Sequence, residues 1–221
     1  MHELTCTIYQ KLYDAYGPRG WWPEIVEGKS VYAREFTYIL RPAHCFEICI
    51  GAILTQNTTW SNAARALINL KKTGSLTPGG ICFDGLAQAI RPSGYYEQKA
   101  KKIQAFTRAW HTNRWEENTP ARDELLNIWG IGPETADDML LYAFGTPCSV
   151  VDKYALRLYE RLGAGSMRYD ELKAIVEDTF STVADLREYH ALIVEHAKRH
   201  CSVKPRCDGC VLGDICKYQN R

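Results

Sequence analysis

Nothing in this 221-residue chain approaches the roughly 18 consecutive apolar residues that a membrane helix requires, so no membrane partner is expected. The opening residues, MHELTCTIYQ, lack the charged-then-apolar build of a secretory leader, and a cytoplasmic setting, nucleoid-associated in a prokaryote, is the expectation. Low-complexity tracts and internal repeats are missing, as are convincing runs of alternating strand residues. The chain also lacks a charge excess of either sign. A formal net charge of +1 neither demands nor excludes nucleic acid, because a binding face can be locally basic on a neutral protein.

What is present is a globular composition, 46% hydrophobic and 24% charged, in a length that buries a sizeable core without disulfides. Apolar residues recur near a 3.6-residue period, as in Ile8, Leu12 and Tyr16 or Ile103, Phe106 and Trp110. Turn signals at Gly17-Pro18, Thr77-Pro78-Gly79-Gly80, Pro92-Ser93-Gly94, Gly130-Ile131-Gly132-Pro133, Gly145-Thr146-Pro147 and Gly163-Ala164-Gly165 separate these runs. The pattern predicts an all-α protein with helices near 3–16, 43–55, 59–72, 84–91, 97–112, 121–128, 133–144, 152–161, 170–180 and 186–200.

Nine cysteines in a cytosolic chain point to metal ligands and buried thiols rather than disulfides. Four of them, Cys201, Cys207, Cys210 and Cys216, form C-x5-C-x2-C-x5-C near the C-terminus. Thiolates this close can surround one metal centre, and soft sulfur donors select iron-sulfur chemistry or zinc. A four-cysteine zinc site usually shows two separated C-x2-C pairs. Here there is one, which favours a [4Fe-4S] cluster. Cys6, Cys45, Cys49, Cys82 and Cys148 read as buried small hydrophobes.

The segment LNIWGIGPETA (126–136) joins two apolar-periodic helices through a short turn, with glycine at 130 and 132 and Pro133 opening the second helix. Such a helix-hairpin-helix lets a phosphate approach the turn amides and a helix N-terminus, gripping DNA without reading sequence. An ordinary corner of the core is the alternative. Downstream, the Gly/Pro loop GTPCSVVD ends in Asp152 at the mouth of another helix, where an N-cap role is equally open.

Hairpin, Gly/Pro loop, aspartate and terminal cysteines, in this order and spacing, resemble the endonuclease III superfamily of base-excision DNA glycosylases, from about residue 37 to 221. SGYYEQKAKKI and HALIVEHAKRHCSVKPRC add to the likeness. The resemblance implies two helical lobes, a barrel with the hairpin over 37–146 and a cluster lobe from 1–36 and 147–221. It implies a monomer acting on double-stranded DNA that contains a damaged base, with Asp152 as the catalytic carboxylate and the four cysteines as cluster ligands. Where bifunctional members carry a Schiff-base lysine this chain has Glu134, so a monofunctional enzyme leaving an abasic site is expected. Gln56 matches the wedge that fills the gap left by a flipped base, and Tyr95 stands at the opposite insertion position. Gly130, Gly132, Lys204 and Arg206 are the expected backbone contacts, whereas the run Lys99, Lys101 and Lys102 reads as a solvated helix face. Asp152 is followed by Lys153-Tyr154 rather than threonine and histidine, and the first cysteine gap is one residue short of the family's.

For the substrate, Trp21-Trp22-Pro23, Phe46 and GAILTQNTTW resemble the 3-methyladenine DNA glycosylase III branch. The likeness implies a base pocket of Trp22, Pro23 and Phe46, bordered by Glu134, whose aromatic faces favour a cationic alkylated purine. These aromatics can equally be core anchors. A mismatch or oxidised-base glycosylase and a non-catalytic iron-sulfur DNA-binding protein stay open beside that reading.

Overall fold

Nearly every apolar-periodic run folds as a helix. The structure, a computed structural model, describes residues 1–32 and 42–218. Its α-helices are α1 (His2–Tyr16), α2 (Pro42–Thr55), α3 (Trp60–Lys72), α4 (Leu86–Ala89), α5 (Tyr96–Thr112), α6 (Arg122–Leu126), α7 (Pro133–Asp138), α8 (Lys153–Tyr159), α9 (Tyr169–Thr179) and α10 (Val183–Arg199). α7 and α8 each continue into a wider π-helical turn, Met139–Ala143 and Glu160–Ala164, and single 3-10 turns occur at Arg91–Ser93 and Gly213–Ile215. No helix among the described residues is long and apolar enough to cross a membrane.

One element escapes the all-α expectation. Residues Glu24–Val26 (β1) and Lys29–Val31 (β2) pair antiparallel, with Ile25 opposite Ser30. Glu27 and Gly28, at φ 49° and 73°, make the two-residue turn that twists with its strands. Three-residue strands carry too few positions to show an alternating pattern. Side chains of neighbouring helices hold the hairpin: Trp60 Nε1 donates to Ser30 Oγ at 2.8 Å, and the Ile25 amide donates to Glu47, which pairs with Lys71.

The chain divides into two compact units. Among the described residues, one comprises 22–32 and 42–146, the other 1–21 and 147–218. The domain boundary expected at 36/37 lies outside the described residues. The core of the first unit is aromatic, with Phe46, Phe106, Trp110 and Trp115 in successive ring contacts 5.2–6.1 Å apart. Burying such rings is the largest favourable term available to a domain of this size. In the second unit Ile8 and Leu12 of α1 pack with α9 and α10, and a chain of hydroxyls, Thr5 to Tyr159 to Tyr189 at 2.7 and 2.6 Å, satisfies the polar atoms it buries.

Candidate functional site

The 127–132 turn between α6 and α7 is closed from beneath by a bidentate pair, Arg122 Nε and a terminal nitrogen donating to the two oxygens of fully buried Asp137 at 2.8 and 3.0 Å. Gly130 is required twice over: its φ is 87°, and a Cβ there would meet Lys102 Cγ at 2.6 Å. Gly132 has an ordinary extended backbone and open space where a Cβ would go, so its use is bareness rather than the conformational freedom expected of it. Trp129 stands exposed beside the turn, and Glu134 is exposed in the first turn of α7, where the helix dipole favours a carboxylate.

Gln56, just past α2, is tied to this turn. Its Nε2 donates to Gly130 O at 3.1 Å and to Thr135 Oγ1 at 2.9 Å, while its Oε1 accepts from Lys102 Nζ at 2.6 Å. Tyr95 is 73% exposed in the left-handed region, φ 46°, at the head of α5. The lysine run does not form one solvated face. Lys101 is exposed, but Lys99 is buried, an inversion that the helical period alone could not reveal.

The expected base-pocket residues are packed. Phe46 is fully buried against Phe106 and Trp110. Trp22 is buried edge-on to Trp60 and against Tyr142, with Gly51 so close that a Cβ there would sit 3.3 Å from the indole. Pro23 is buried beside it, whereas Glu134 is exposed. Trp21, the neighbouring ring, belongs to the other unit and is only half-buried. The His190 ring meets it edge-on at 5.9 Å, and Lys198 Nζ lies 5.2 Å over it.

Asp152 sits in that same unit as the N-cap of α8, 6% exposed. Oδ1 accepts both the Tyr154 and Ala155 amides, at 2.9 and 2.8 Å. Oδ2 lies 3.8 Å from His190 Nε2. One oxygen is therefore consumed by the cap, and the other is turned towards His190. Lys198 is close enough to feel the charge of Asp152. Burial pushes its ammonium below the usual lysine range, with Glu195 and Asp152 opposing the shift. Nothing in the sequence ties His190 or Lys198 to Asp152, because α10 reaches it only through the fold. Lys153 is exposed, stacked over the Tyr154 ring.

The four C-terminal cysteines come together. Cys201 is buried and the others are half-buried. Burial pushes the Cys210 thiol up, and the charges of Cys201, Cys216 and Cys207 add to that against one opposing amide from Leu212. Arg161 donates to Cys201 Sγ at 3.2 Å, and to the Ser202 and Val203 carbonyls at 2.7 and 3.1 Å. Among the described residues no three His, Cys, Asp or Glu side chains converge tightly enough to hold a single metal ion. Four mutually influencing thiols beside a guanidinium are the soft, charge-compensated donor set that an iron-sulfur centre calls for. Lys204 is exposed, while exposed Arg206 donates to the Lys198 carbonyl at 3.1 Å. Of the remaining cysteines, Cys45, Cys49 and Cys148 are buried as expected. Cys6, within α1, and Cys82, ahead of α4, are exposed rather than buried.

Residues 50–182 match the profile of a family described as "HhH-GPD superfamily base excision DNA repair protein". A Methanocaldococcus jannaschii protein named as a candidate DNA repair glycosylase is 38% identical over 229 residues, covering 97% of this chain and 96% of its own. Endonuclease III of Sulfolobus acidocaldarius is 33% identical over 229 residues, covering 98% and 96%. Among solved structures, an H. pylori 3-methyladenine DNA glycosylase bound to 1,N6-ethenoadenine superposes with a TM-score of 0.71 at 28% identity, over 89% of this chain and 96% of its own.

Proposed function

Because the chain belongs to the HhH-GPD superfamily of base excision DNA repair proteins, we propose that it is a monofunctional DNA glycosylase, monomeric, that extrudes a damaged base from duplex DNA and hydrolyses its glycosidic bond. The substrate class is alkylated purines, such as 3-methyladenine. The observation that carries the reading is the division of labour within Asp152. Two amides hold Oδ1 at fixed geometry, and Oδ2 remains in a buried, low-dielectric setting beside His190.

As the C1′–N bond breaks, its electron pair leaves with the base and the sugar becomes an oxocarbenium ion. Oδ2 stabilises that cation and then accepts a proton from the water that adds to C1′. A methylated purine is already cationic, so it departs neutral without a general acid, which suits a site whose one clear catalytic group is a carboxylate. Trp21, backed by the Lys198 ammonium, offers a partly open aromatic face for stacking. The likeness to the H. pylori enzyme supports this choice of substrate.

Glu134 cannot form an imine, so the product is an abasic site rather than a cut strand. Gln56 and Tyr95 fill the gap left by the flipped nucleotide, and the Gly130 to Gly132 turn, Lys204 and Arg206 contact phosphates. Cys201, Cys207, Cys210 and Cys216 hold a [4Fe-4S] cluster that shapes the 202–206 loop and takes no part in bond cleavage.

Mass spectrometry of bases released from methylated DNA, with a panel of duplexes each bearing one lesion, tests the substrate. Release of 3-methyladenine is expected, and activity confined to mismatched thymine or uracil would overturn it. Borohydride should trap no protein-DNA adduct, and a trapped adduct refutes the monofunctional mechanism.

A further inference from the structure

Lysines three apart on a helix of a DNA-handling protein invite reading as phosphate ligands, yet on α5 two of them donate to the protein's own oxygens. Lys99 is 2% exposed, and its Nζ donates to Leu54 O and Ser93 O, both at 2.8 Å. Those carbonyls close α2 and the 91–93 turn, where helical C-termini leave acceptors unsatisfied and a cation is favoured. An ammonium is a costly way to join two segments that an apolar side chain could pack together, since it must be stripped of water. Burial, aided by the charge of Lys102, pushes it down to about 8. What the ammonium supplies, and a hydrocarbon would not, is a fixed distance between two backbone points.

Just beyond each point the chain turns sharply in the left-handed region without glycine, at Asn57 (φ 53°) and at Tyr95 (φ 46°). Such backbone persists only where its surroundings over-determine it. One turn along α5, Lys102 continues the brace. Its Nζ holds Gln56 Oε1 at 2.6 Å, its methylenes cover Gly130, and Gln56 in turn donates to Gly130 O and Thr135 Oγ1. Residues 54–57, 93–95 and 130–135, distant in sequence, thus meet on one face of one helix.

Building on the DNA-contacting roles proposed above for Gln56, Tyr95 and the hairpin, we propose that Lys99 and Lys102 are positioning residues that set these three segments as a single preformed edge for opening the duplex. Neither lysine touches DNA. Each acts through the loop it fastens, and the proposal assigns to α5 the alignment of two insertion residues with the phosphate-gripping turn.

The test uses full-length Lys99→Met and Lys102→Met, which keep the stem and remove the ammonium. Unstacking is read from the fluorescence of 2-aminopurine placed opposite a tetrahydrofuran abasic analogue, so no excision is needed. Both variants should bind undamaged duplex within about threefold of wild type yet lose about tenfold to 100-fold in unstacking and in single-turnover excision, the scale of a 1 Å misplacement. Hydrogen exchange without DNA should speed at residues 55–59 and 93–96 together in Lys99→Met. Should Lys99→Met not fold, Lys102→Met carries the test, since Lys102 is part-exposed and lies outside the core. Wild-type unstacking in the folded variants, or exchange that changes in one loop only, overturns the proposal. A wild-type protein that unstacks DNA but excises no base sinks the proposed function and leaves this inference standing.

Discussion

Replacing Asp152 with asparagine separates its capping role from the catalytic role proposed for it, because the two use different oxygens. The cap needs only an acceptor at Oδ1 for the Tyr154 and Ala155 amides, and an asparagine carbonyl supplies one. Asparagine caps about as well as aspartate, so the expected stability loss is the charge-dipole part, about 0.3–1 kcal/mol. For a chain of this length that is a fall in Tm of about 1–4 °C. The bond-breaking job needs the negative charge at Oδ2, and removing a preorganised charge-stabilising group costs about 2.7–4 kcal/mol in the transition state, or about 100-fold to 1,000-fold in rate. Single-turnover excision on a duplex with one 3-methyladenine, beside calorimetric melting, gives both quantities. Asp152→Ser, which also caps, should be as inactive as the asparagine variant, and Asp152→Ala should be inactive and about 1 kcal/mol less stable. An asparagine variant within tenfold of wild-type excision would refute the assignment and return Asp152 to a capping residue.

Phe46→Ala should cost about 3–5 kcal/mol through the cavity it opens among Phe106 and Trp110, read as a Tm fall of about 6–20 °C, with excision at low temperature nearly kept. A variant of normal stability that no longer releases the base would place Phe46 in the pocket instead. Cys210→Ser should lower bound iron and acid-labile sulfide and weaken duplex binding, and unchanged iron content would contradict the four-thiolate centre. The Lys99 ammonium, held down to about 8 from 10.5, makes the folded chain release a proton that the unfolded chain keeps. Stability of wild type relative to Lys99→Met should therefore rise with pH between about 8 and about 10.5. A flat difference in urea midpoints across that window would contradict the burial of the charge.

The features legible in the sequence are those whose chemistry is local. Helices follow from a periodic pattern, and the cysteine spacing brings four thiols near one another whatever the rest of the fold does. Asp152 and the hairpin stand out because turn and cap signals lie within a few residues of them. What stayed hidden depends on residues far apart in the chain. His190 approaches Asp152 only when α10 folds over the head of α8, and Lys99 is internal only because α2 and the 91–93 turn end beside it. The aromatic pair at 21 and 22 shows the limit most clearly. Adjacent tryptophans are identical in type, and only packing makes Trp22 an anchor while leaving Trp21 beside His190.

Arg161 deserves a last consequence. Its guanidinium holds residues 201–203 at one end of the cysteine segment, and its own carbonyl accepts the Lys217 amide at 3.1 Å and faces Cys216 Sγ at 3.7 Å at the other. A single residue thus buckles both ends of the four-cysteine segment. If the proposed cluster sits there, oxidative loss of its iron should slacken the middle of the segment while its ends stay fastened, so that duplex binding weakens by degrees and recovers on reloading.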